Sequence, residues 1–239
     1  MQFYFIRHGQ SENNASWARY GEGYPRVSDP ELTDVGRTQA ALVARFLTQS
    51  GTLHPVGEGE FRNVSGFGIT HLYTSLMVRA VQTGAAISEA LGLPLVAWMD
   101  AYETGGIFMH NPETNEPEGL PGHNRAYFEQ HYPHLVLPDD LNHQGWWNRP
   151  FEGREERSGR AQRFWETLLE RHSGTEDRVA VVSHGGFYNY VLRVVLGLPR
   201  RDELWFVLNN VAITRIDLGE RVRVAYTNRA DFLPGRLVT

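Results

Sequence analysis

The sequence contains no cysteine, and this absence excludes several kinds of chemistry. Without cysteine there is no disulfide framework, no thiolate nucleophile and no sulfur ligand for a metal. No stretch approaches the roughly 18–20 consecutive apolar residues that a membrane span needs, and no secretory signal pattern precedes the first apolar run. We therefore expect a cytoplasmic protein that has no membrane partner.

An excess of positive charge is absent as well. The formal net charge is -5 and the pI is about 6.1, whereas a protein that binds nucleic acid needs a basic face. We therefore expect no nucleic-acid partner. Hydrophobic residues make up 41% and charged residues 21% of the 239 residues, which is typical of a soluble globular protein. This length and composition predict a single domain over residues 1–239.

The first motif begins almost at once. Residues 2–6 form an apolar run rich in aromatic side chains, and this run leads directly into Arg7, His8 and Gly9. Such a run predicts a short β-strand, and open α/β sheets bind their ligands at the carboxyl ends of strands. A neutral imidazole, with an unperturbed pKa of ~6.5, offers an unprotonated nitrogen at neutral pH. His8 is therefore the candidate nucleophile.

Two later apolar runs repeat this arrangement. Residues 69–73 lead towards Arg79, and residues 179–183 end at His184. Because the carboxyl ends of parallel strands meet at one edge of a sheet, we expect all three motifs to form one pocket. A guanidinium group matches phosphate oxygens as a planar fork and stays charged at any working pH. Arg7 and Arg79 are therefore predicted to hold a phosphate.

The spacing of apolar residues predicts helices and strands that alternate along the chain. The predicted helices cover residues 34–48, 77–91, 160–172 and 188–196, and the predicted strands cover residues 2–6, 69–73, 95–98, 179–182, 212–217 and 222–226. The last two strands predict an antiparallel hairpin. This order predicts a three-layer α/β/α fold in which a mostly parallel sheet has an antiparallel edge strand.

Residues 105–153 do not follow this pattern. They are rich in Pro, Gly, Asn and His and show weak periodicity, and long segments of this kind are usually lids or binding loops. We predict a cap-like insertion at about 105–153 that selects the substrate. Within it, Arg125 is a candidate to meet a second anionic group. Trp146 and Trp147 either stack on the organic part of a substrate or form a hydrophobic core within the insertion itself.

No cofactor and no metal are expected from the sequence. The histidines of the insertion and its flanks suggest a metal at first sight, but they show no ligand spacing such as His-Glu-x-x-His. These residues are His110, His123, His131, His134 and His143. We expect them to be solvated loop residues.

Four segments follow one another in a specific order, namely residues 7–9, 31–40, 73–83 and 183–186. In these segments the chain resembles the histidine phosphatase superfamily, in its phosphoglycerate mutase-like branch. The resemblance implies a phosphoglycerate mutase-like fold. It also implies that His8 is transiently phosphorylated on a ring nitrogen and then passes the phosphoryl group to water.

The resemblance implies supporting roles for further residues. His184 matches the second histidine of the family, which as a donor stabilises charge on the phosphoryl group in the transition state. Asn14 matches a position that hydrogen-bonds the phosphoryl group, and Ser11 stands where the family has Ser or Thr. Gly9 and Gly185 would let the backbone approach the ligand without a Cβ in the way.

The proton donor is expected after the third predicted strand. The family carries an acidic general acid at this place, so the resemblance implies Glu103, with Asp100 as the alternative. A protonated carboxyl here would supply the proton that the leaving oxygen needs.

These motifs leave three functions open. The favoured one is hydrolysis of small organic phosphomonoesters, with inorganic phosphate or vanadate as site ligands. The second is a phosphoglycerate mutase, but residues 16–30 do not resemble the corresponding mutase loop, and no Arg-His-Tyr-Gly sequence follows Glu103. The third is a non-catalytic module that binds phosphorylated ligands. The sequence does not decide between a monomer and a homodimer.

Overall fold

The computed structural model describes residues 1–49, 61–141, 143–199 and 203–239. The strands are β1 Gln2–Arg7, β2 His71–Thr74, β3 Leu95–Ala97, β4 Phe108–His110, β5 Pro117–Gly119, β6 Leu135–Val136, β7 Arg178–Ser183, β8 Ile213–Leu218 and β9 Val222–Arg229. The α-helices are α1 Glu12–Tyr20, α2 Asp34–Leu47, α3 Val78–Leu91, α4 Arg125–His131, α5 Arg154–His172 and α6 Gly185–Leu196. None of the described helices is long and apolar enough to cross a membrane.

The main sheet has seven strands in the order β6-β3-β2-β7-β1-β8-β9. The five strands from β6 to β1 are parallel to one another. Strand β8 pairs with β1 in the antiparallel direction, and β9 pairs with β8 in the same way, so the predicted terminal hairpin forms one edge of the sheet. The predicted mostly parallel sheet with an antiparallel edge is confirmed.

Strand β1 separates two hydrophobic cores. Phe3 and Phe5 pack in the core shared with α5 and α6, whereas Tyr4 and Ile6 face the opposite core with α2 and α3. Successive side chains of a strand point to opposite faces, so an apolar run without interruption fits a strand covered on both sides. The predicted three-layer α/β/α arrangement is confirmed.

Several helix starts differ from the prediction. Helix α5 begins at Arg154 instead of residue 160, because its first turn is charged and shows no apolar periodicity. Helix α6 begins at Gly185. Helix α1 was not predicted, and its start depends on a reciprocal cap. The Ser11 hydroxyl accepts from the Asn14 amide, while the Asn14 side chain accepts from the Ser11 amide.

The predicted cap-like insertion is a separate layer only in part. Its hairpin β4–β5 forms a two-stranded sheet of its own. Strand β6, however, joins the edge of the main sheet beside β3, and Phe128 and Leu141 are buried in the core on the α3 side. Much of the segment 105–153 is therefore built into the domain, because its irregularly spaced apolar residues still bury themselves against the sheet edge.

Candidate active site

His8 lies directly after β1 and is buried, with 2% of its surface exposed. Its Nδ1 atom is 2.6 Å from the carbonyl oxygen of Gly9. Because a carbonyl can only accept, Nδ1 carries the ring proton and Nε2 keeps its lone pair. The Nε atom of Arg79 donates to that lone pair at 3.2 Å. The free nitrogen therefore faces the guanidinium group that the sequence predicted as a phosphate clamp.

The electrostatic surroundings keep this ring neutral. Burial lowers the pKa of His8 well below its ordinary value, and the charges of Arg79 and Arg7 lower it further. A neutral imidazole with an unprotonated nitrogen is the form that can attack phosphorus. The environment therefore favours the nucleophilic state at neutral pH.

His184 follows β7 and lies beside His8, with 5.0 Å between the ring centroids. Its Nε2 atom is 2.9 Å from the hydroxyl of Ser75, which itself accepts from the amide of Met77 at 3.2 Å. In the tautomer in which this hydroxyl donates to Nε2, the proton of the neutral ring is on Nδ1. Burial lowers the pKa of His184 well below its ordinary value, with the charge of Arg79 adding to the effect.

Two buried donors of the site have no acceptor among the described residues. They are Nδ1 of His184 and Nε of Arg7. Arg7 is held in place through Nη1, which donates to the carbonyl of Leu208 at 2.5 Å. A buried donor that lacks a partner is costly, so such atoms mark places where a ligand oxygen fits. The pair is suited to an anion bound next to His8.

Asp29 is a site residue that the sequence reasoning missed. Its Oδ1 atom lies 3.6 Å from Nη1 of Arg79 and accepts from the amide of Val78 at 3.1 Å. Its Oδ2 atom is buried and has no hydrogen-bond partner among the described residues. Burial raises the pKa of Asp29 to about 6, although the charge of Arg79 opposes this. Asp29 orients the clamp arginine and can hold a proton near neutral pH.

The side-chain carboxylate of Glu103 lies at the amino end of α6. Its carboxylate accepts from the backbone amides of Gly186 at 3.1 Å, Phe187 at 2.9 Å and Thr104 at 2.7 Å. Burial lowers the pKa of both Arg7 and Arg79, and the charge of the Glu103 carboxylate opposes this shift in each of them. Helix N-termini stabilise negative charge, which explains the location of this side chain.

Asp100, the alternative acid, points elsewhere. Its side chain is 31% exposed, and its Oδ1 atom lies 3.8 Å from Nη2 of Arg163 on the surface of α5. Arg160 of the same helix is completely buried and donates to the carbonyls of Asp100 and Tyr102 at 2.8 and 2.9 Å. Arg160, with its partner Glu152, is a second feature that the sequence reasoning missed. Both belong to the local scaffold that carries Glu103.

Ser11 and Asn14, which the resemblance assigns to the phosphate site, have hydrogen-bond partners within the protein. They cap α1 together, and the Asn14 Oδ1 atom also accepts from Nδ2 of Asn210 at 3.2 Å. That same Asn210 nitrogen donates to the carbonyl of His8 at 3.0 Å. Asn14 is therefore linked to the backbone of the nucleophile, and Asn210 is a further residue that the sequence did not reveal.

The two predicted glycines differ in what a side chain would meet within the protein. A Cβ on Gly9 would stand 2.6 Å from the carbonyl oxygen of Gly36, so glycine is required there by the close packing of α2. A Cβ on Gly185 would lie 3.5 Å from Nε of Arg7, which is an ordinary contact. The steric requirement falls on Gly186 instead, where a Cβ would overlap the Glu103 carboxylate. The spacing of the motif could not show which of its two glycines is required.

The structure also corrects the residues proposed for the cap. Trp146 and Trp147 are 3% and 4% exposed and pack against Tyr102, so their burial favours a core role over stacking on a substrate. Arg125 donates to the carbonyls of Leu141 at 2.7 Å and Pro138 at 2.6 Å. Its guanidinium therefore ties down the chain after α4 and does not meet a second anionic group.

Arg26, from the segment between α1 and α2, is a cation near the clamp that the sequence did not single out. Burial lowers the pKa of Arg79, and the charge of Arg26 adds to this effect. Its carbon Cζ lies 4.0 Å from the ring centre of Phe108 in β4, and Nη1 donates to the hydroxyl of Tyr24 at 3.1 Å. Its buried Nε has no acceptor among the described residues.

Comparison with known proteins places this site in a family. The model of the histidine phosphatase superfamily (branch 1) matches residues 3–56 and 60–228. The chain is 29% identical over 223 residues to a Yersinia enterocolitica protein named "Probable phosphoglycerate mutase GpmB", with 92% of this chain and 86% of that protein covered.

Solved structures share the fold at lower identity. Mycobacterial glucosyl-3-phosphoglycerate phosphatase in complex with VO3 is 19% identical with a TM-score of 0.60, and the match covers 96% of this chain and 99% of that one. The alpha-ribazole phosphatase from Shigella flexneri is 18% identical with a TM-score of 0.60, covering 96% of each chain. On the family match, which spans nearly the whole sequence, the chain belongs to branch 1 of the histidine phosphatase superfamily.

Proposed function

We propose that this protein hydrolyses small organic phosphomonoesters through a phosphohistidine at Nε2 of His8. The observation that carries the proposal is the state of that nitrogen. It is unprotonated because Nδ1 bonds the Gly9 carbonyl, and it lies against the Arg79 guanidinium in a buried pocket. Phosphoryl transfer requires a nucleophile and positively charged groups around the phosphate, in a site that excludes most water.

The first step forms the bond between Nε2 of His8 and phosphorus and breaks the bond between phosphorus and the ester oxygen. The negative charge of the bound ester next to Glu103 favours the protonated carboxyl, which gives its proton to the departing oxygen, so the alcohol leaves neutral. Nδ1 of His184 and Nε of Arg7 donate to the phosphoryl oxygens, which satisfies the two buried donors described above. Preorganised donors of this kind stabilise the charge on the transferred group without reorganising.

The second step returns the histidine to its starting state. A water molecule attacks phosphorus, the bond to Nε2 breaks, and the Glu103 carboxylate takes the proton of the water. Inorganic phosphate leaves and Glu103 is protonated again for the next cycle. No metal takes part, because two arginines and the amino end of α6 supply the positive field.

The comparisons support the hydrolase over its alternative only indirectly. The solved structures cited above are named as phosphatases, whereas the cited curated relative is named as a mutase. A mutase would use the same phosphohistidine and return the group to bound substrate, so the nucleophile cannot separate the two. We place substrate selection on the hairpin β4–β5 and the segment with Arg26, since much of the remaining insertion is core.

The proposal is tested with a substrate panel that follows two products. p-Nitrophenyl phosphate, glycerol phosphate and 3-phosphoglycerate, the last with and without 2,3-bisphosphoglycerate, are assayed for free phosphate and for isomerised phosphoglycerate. We expect phosphate release from all of them and an acid-labile phosphoprotein on rapid quenching, both lost in His8→Ala. Isomerisation with negligible phosphate release would establish the mutase, and anion binding without any turnover would establish a binding module.

A further inference from the structure

Two histidines and an aspartate form a cluster outside the phosphoryl-transfer site. Nδ1 of His172 lies 2.8 Å from one carboxylate oxygen of Asp177, and Nδ1 of His71 lies 3.9 Å from the other. One ligand atom from each of the three residues fits within 4.8 Å of the others. A tetrahedral metal with bonds of about 2.0–2.2 Å needs ligand atoms roughly 3.3–3.6 Å apart, so the side chains have to rotate, and Nδ1 of His71 has to exchange its 2.9 Å contact with the Thr70 hydroxyl for the ion.

The backbone holds these residues at one end of the sheet. His71 opens β2 and Asp177 directly precedes β7, and these two strands are parallel neighbours in the sheet. The Thr70 amide donates to the carbonyl of Arg178 at 2.8 Å, and the Arg178 amide donates back to the Thr70 hydroxyl at 2.9 Å. Ligands on paired strand ends need little ordering when a metal binds, which lowers the entropic cost of binding.

The surroundings of the cluster suit a metal ligand set. In the structure Nδ1 of His172 donates to Asp177; when a metal replaces that proton, the ring proton moves to Nε2, which then donates to the Tyr73 hydroxyl 3.1 Å away. Such outer partners orient metal-binding imidazoles in proteins. The His172 side chain is 4% exposed, whereas those of His71 and Asp177 are 41% and 26% exposed, so an ion can enter from solvent.

We propose that His71, His172 and Asp177 bind a divalent transition-metal ion such as Zn²⁺, with water as the fourth ligand. Two imidazoles and one carboxylate form a ligand set of the kind that Zn²⁺ accepts, and Mg²⁺ and Ca²⁺ prefer sites made of oxygen atoms. His71 is far along the chain from His172 and Asp177, so no ligand spacing reveals the site. It differs from the histidines of the segment around 105–153, for which no metal is proposed.

The ion would have a structural role. The cluster lies at the amino ends of β2 and β7, and the catalytic residues follow the carboxyl ends of β1 and β7. From Asp177 to His184 the chain runs the full length of a strand, roughly 20 Å. A metal there would join α5 to two central strands and would stabilise the folded state in proportion to its occupancy.

The test measures metal binding directly. Equilibrium dialysis against Zn²⁺ is carried out on the wild type, on His71→Ala and Asp177→Asn, and on His134→Ala as a control for an exposed histidine. We expect the wild type and the control to bind one more Zn²⁺ per chain than the two cluster variants. Any Zn²⁺ that the cluster variants still bind should be held more than about tenfold more weakly, since loss of even an outer partner lowers metal affinity about 10–100-fold. Tyr73→Phe, which removes the outer partner, should lie between them.

A spectroscopic and a thermal measurement complete the design. Co²⁺ should give the intense visible absorption of a four-coordinate site in the wild type and not in His71→Ala, and Zn²⁺ should raise the unfolding temperature only where the cluster is intact. Equal Zn²⁺ binding in the wild type and both cluster variants overturns the proposal. Because hydrolysis of p-nitrophenyl phosphate is followed separately and should be unaffected by His71→Ala, this result is independent of the proposed function.

Discussion

Arg160 and Glu152 form a two-point ion pair inside the domain. Nε of Arg160 donates to one carboxylate oxygen at 2.6 Å and Nη2 donates to the other at 2.9 Å, and both side chains are almost completely buried. The same carboxylate accepts from the Tyr102 hydroxyl at 3.1 Å and from the Gly105 amide at 3.2 Å. The pair therefore holds the backbone on both sides of Glu103.

Removing one partner of this pair should be strongly destabilising. Glu152→Gln leaves the Arg160 guanidinium buried without its counter-charge, and breaking a buried pair in this way typically costs about 3–5 kcal/mol. Arg163→Gln is the matched control, because that arginine lies on the same helix but is 61% exposed, so at most about 1 kcal/mol should be lost. Urea denaturation measures both free energies of unfolding, and similar values for the two variants would contradict the prediction.

Glu103→Gln should separate substrates by their leaving groups. General acid catalysis contributes about 10²–10⁴-fold, so hydrolysis of an alkyl phosphate should fall by that order. p-Nitrophenyl phosphate should fall much less, because its leaving group needs little protonation. The measurement is kcat/KM on the two esters, with Asp100→Asn as the control that leaves their ratio unchanged. Equal losses on both esters in Glu103→Gln would remove Glu103 as the acid.

Asp29 should make stability depend on pH in a defined direction. Its pKa rises from 3.8 when unfolded to about 6 when folded, so the folded state holds the proton more tightly. This contribution is fully present below pH 4 and is lost as the pH rises through 6. The shift corresponds to about 3 kcal/mol. The difference in unfolding free energy between the wild type and Asp29→Asn should therefore change by about that amount from pH 3 to pH 7, with the wild type becoming less stable relative to the variant as the pH rises. A difference that does not vary with pH would contradict this assignment.

Arg26 should favour substrates that carry a second anionic group besides the phosphate. Losing a hydrogen bond to a charged group costs about 1.5–3 kcal/mol, which is roughly 10–150-fold in affinity. Arg26→Gln should raise KM by that order for 3-phosphoglycerate, which carries a carboxylate, and should leave KM for glycerol phosphate nearly unchanged. Arg125→Gln should not separate the two substrates, because its guanidinium is bound to backbone carbonyls. Equal effects of Arg26→Gln on both substrates would exclude a second anionic contact there.

Local patterns were sufficient for the framework of this protein. The apolar runs before His8 and His184 predicted two buried parallel strands, and the order of elements predicted the layered fold. A continuous apolar run fits only a strand covered on both faces, so the pattern itself carries the information. The same order brought Arg7 and Arg79 to one pocket, since parallel strands end at one edge.

Other features depend on packing between distant parts of the chain. The role of Trp147 could not be predicted from an irregular segment. An aromatic residue there can contact a substrate or pack in the core, and only the folded structure shows that Trp147 is buried. Asp29 and Arg26 come from a segment whose sequence shows no motif, and only the folded chain brings them beside Arg79. Their function follows from burial and charge, and both are properties of the surroundings.

The sequence by itself determined the strand that delivers His8 and the residue types around it. Only the tertiary structure decided which ring nitrogen is free, because the Gly9 carbonyl and the Arg79 guanidinium reach the ring from opposite sides. It also decided that Gly186, and not Gly185, makes room for Glu103. The physical reason is the same in each case. Secondary structure follows from local patterns of polarity, whereas protonation state and steric fit depend on neighbours that only folding brings into contact.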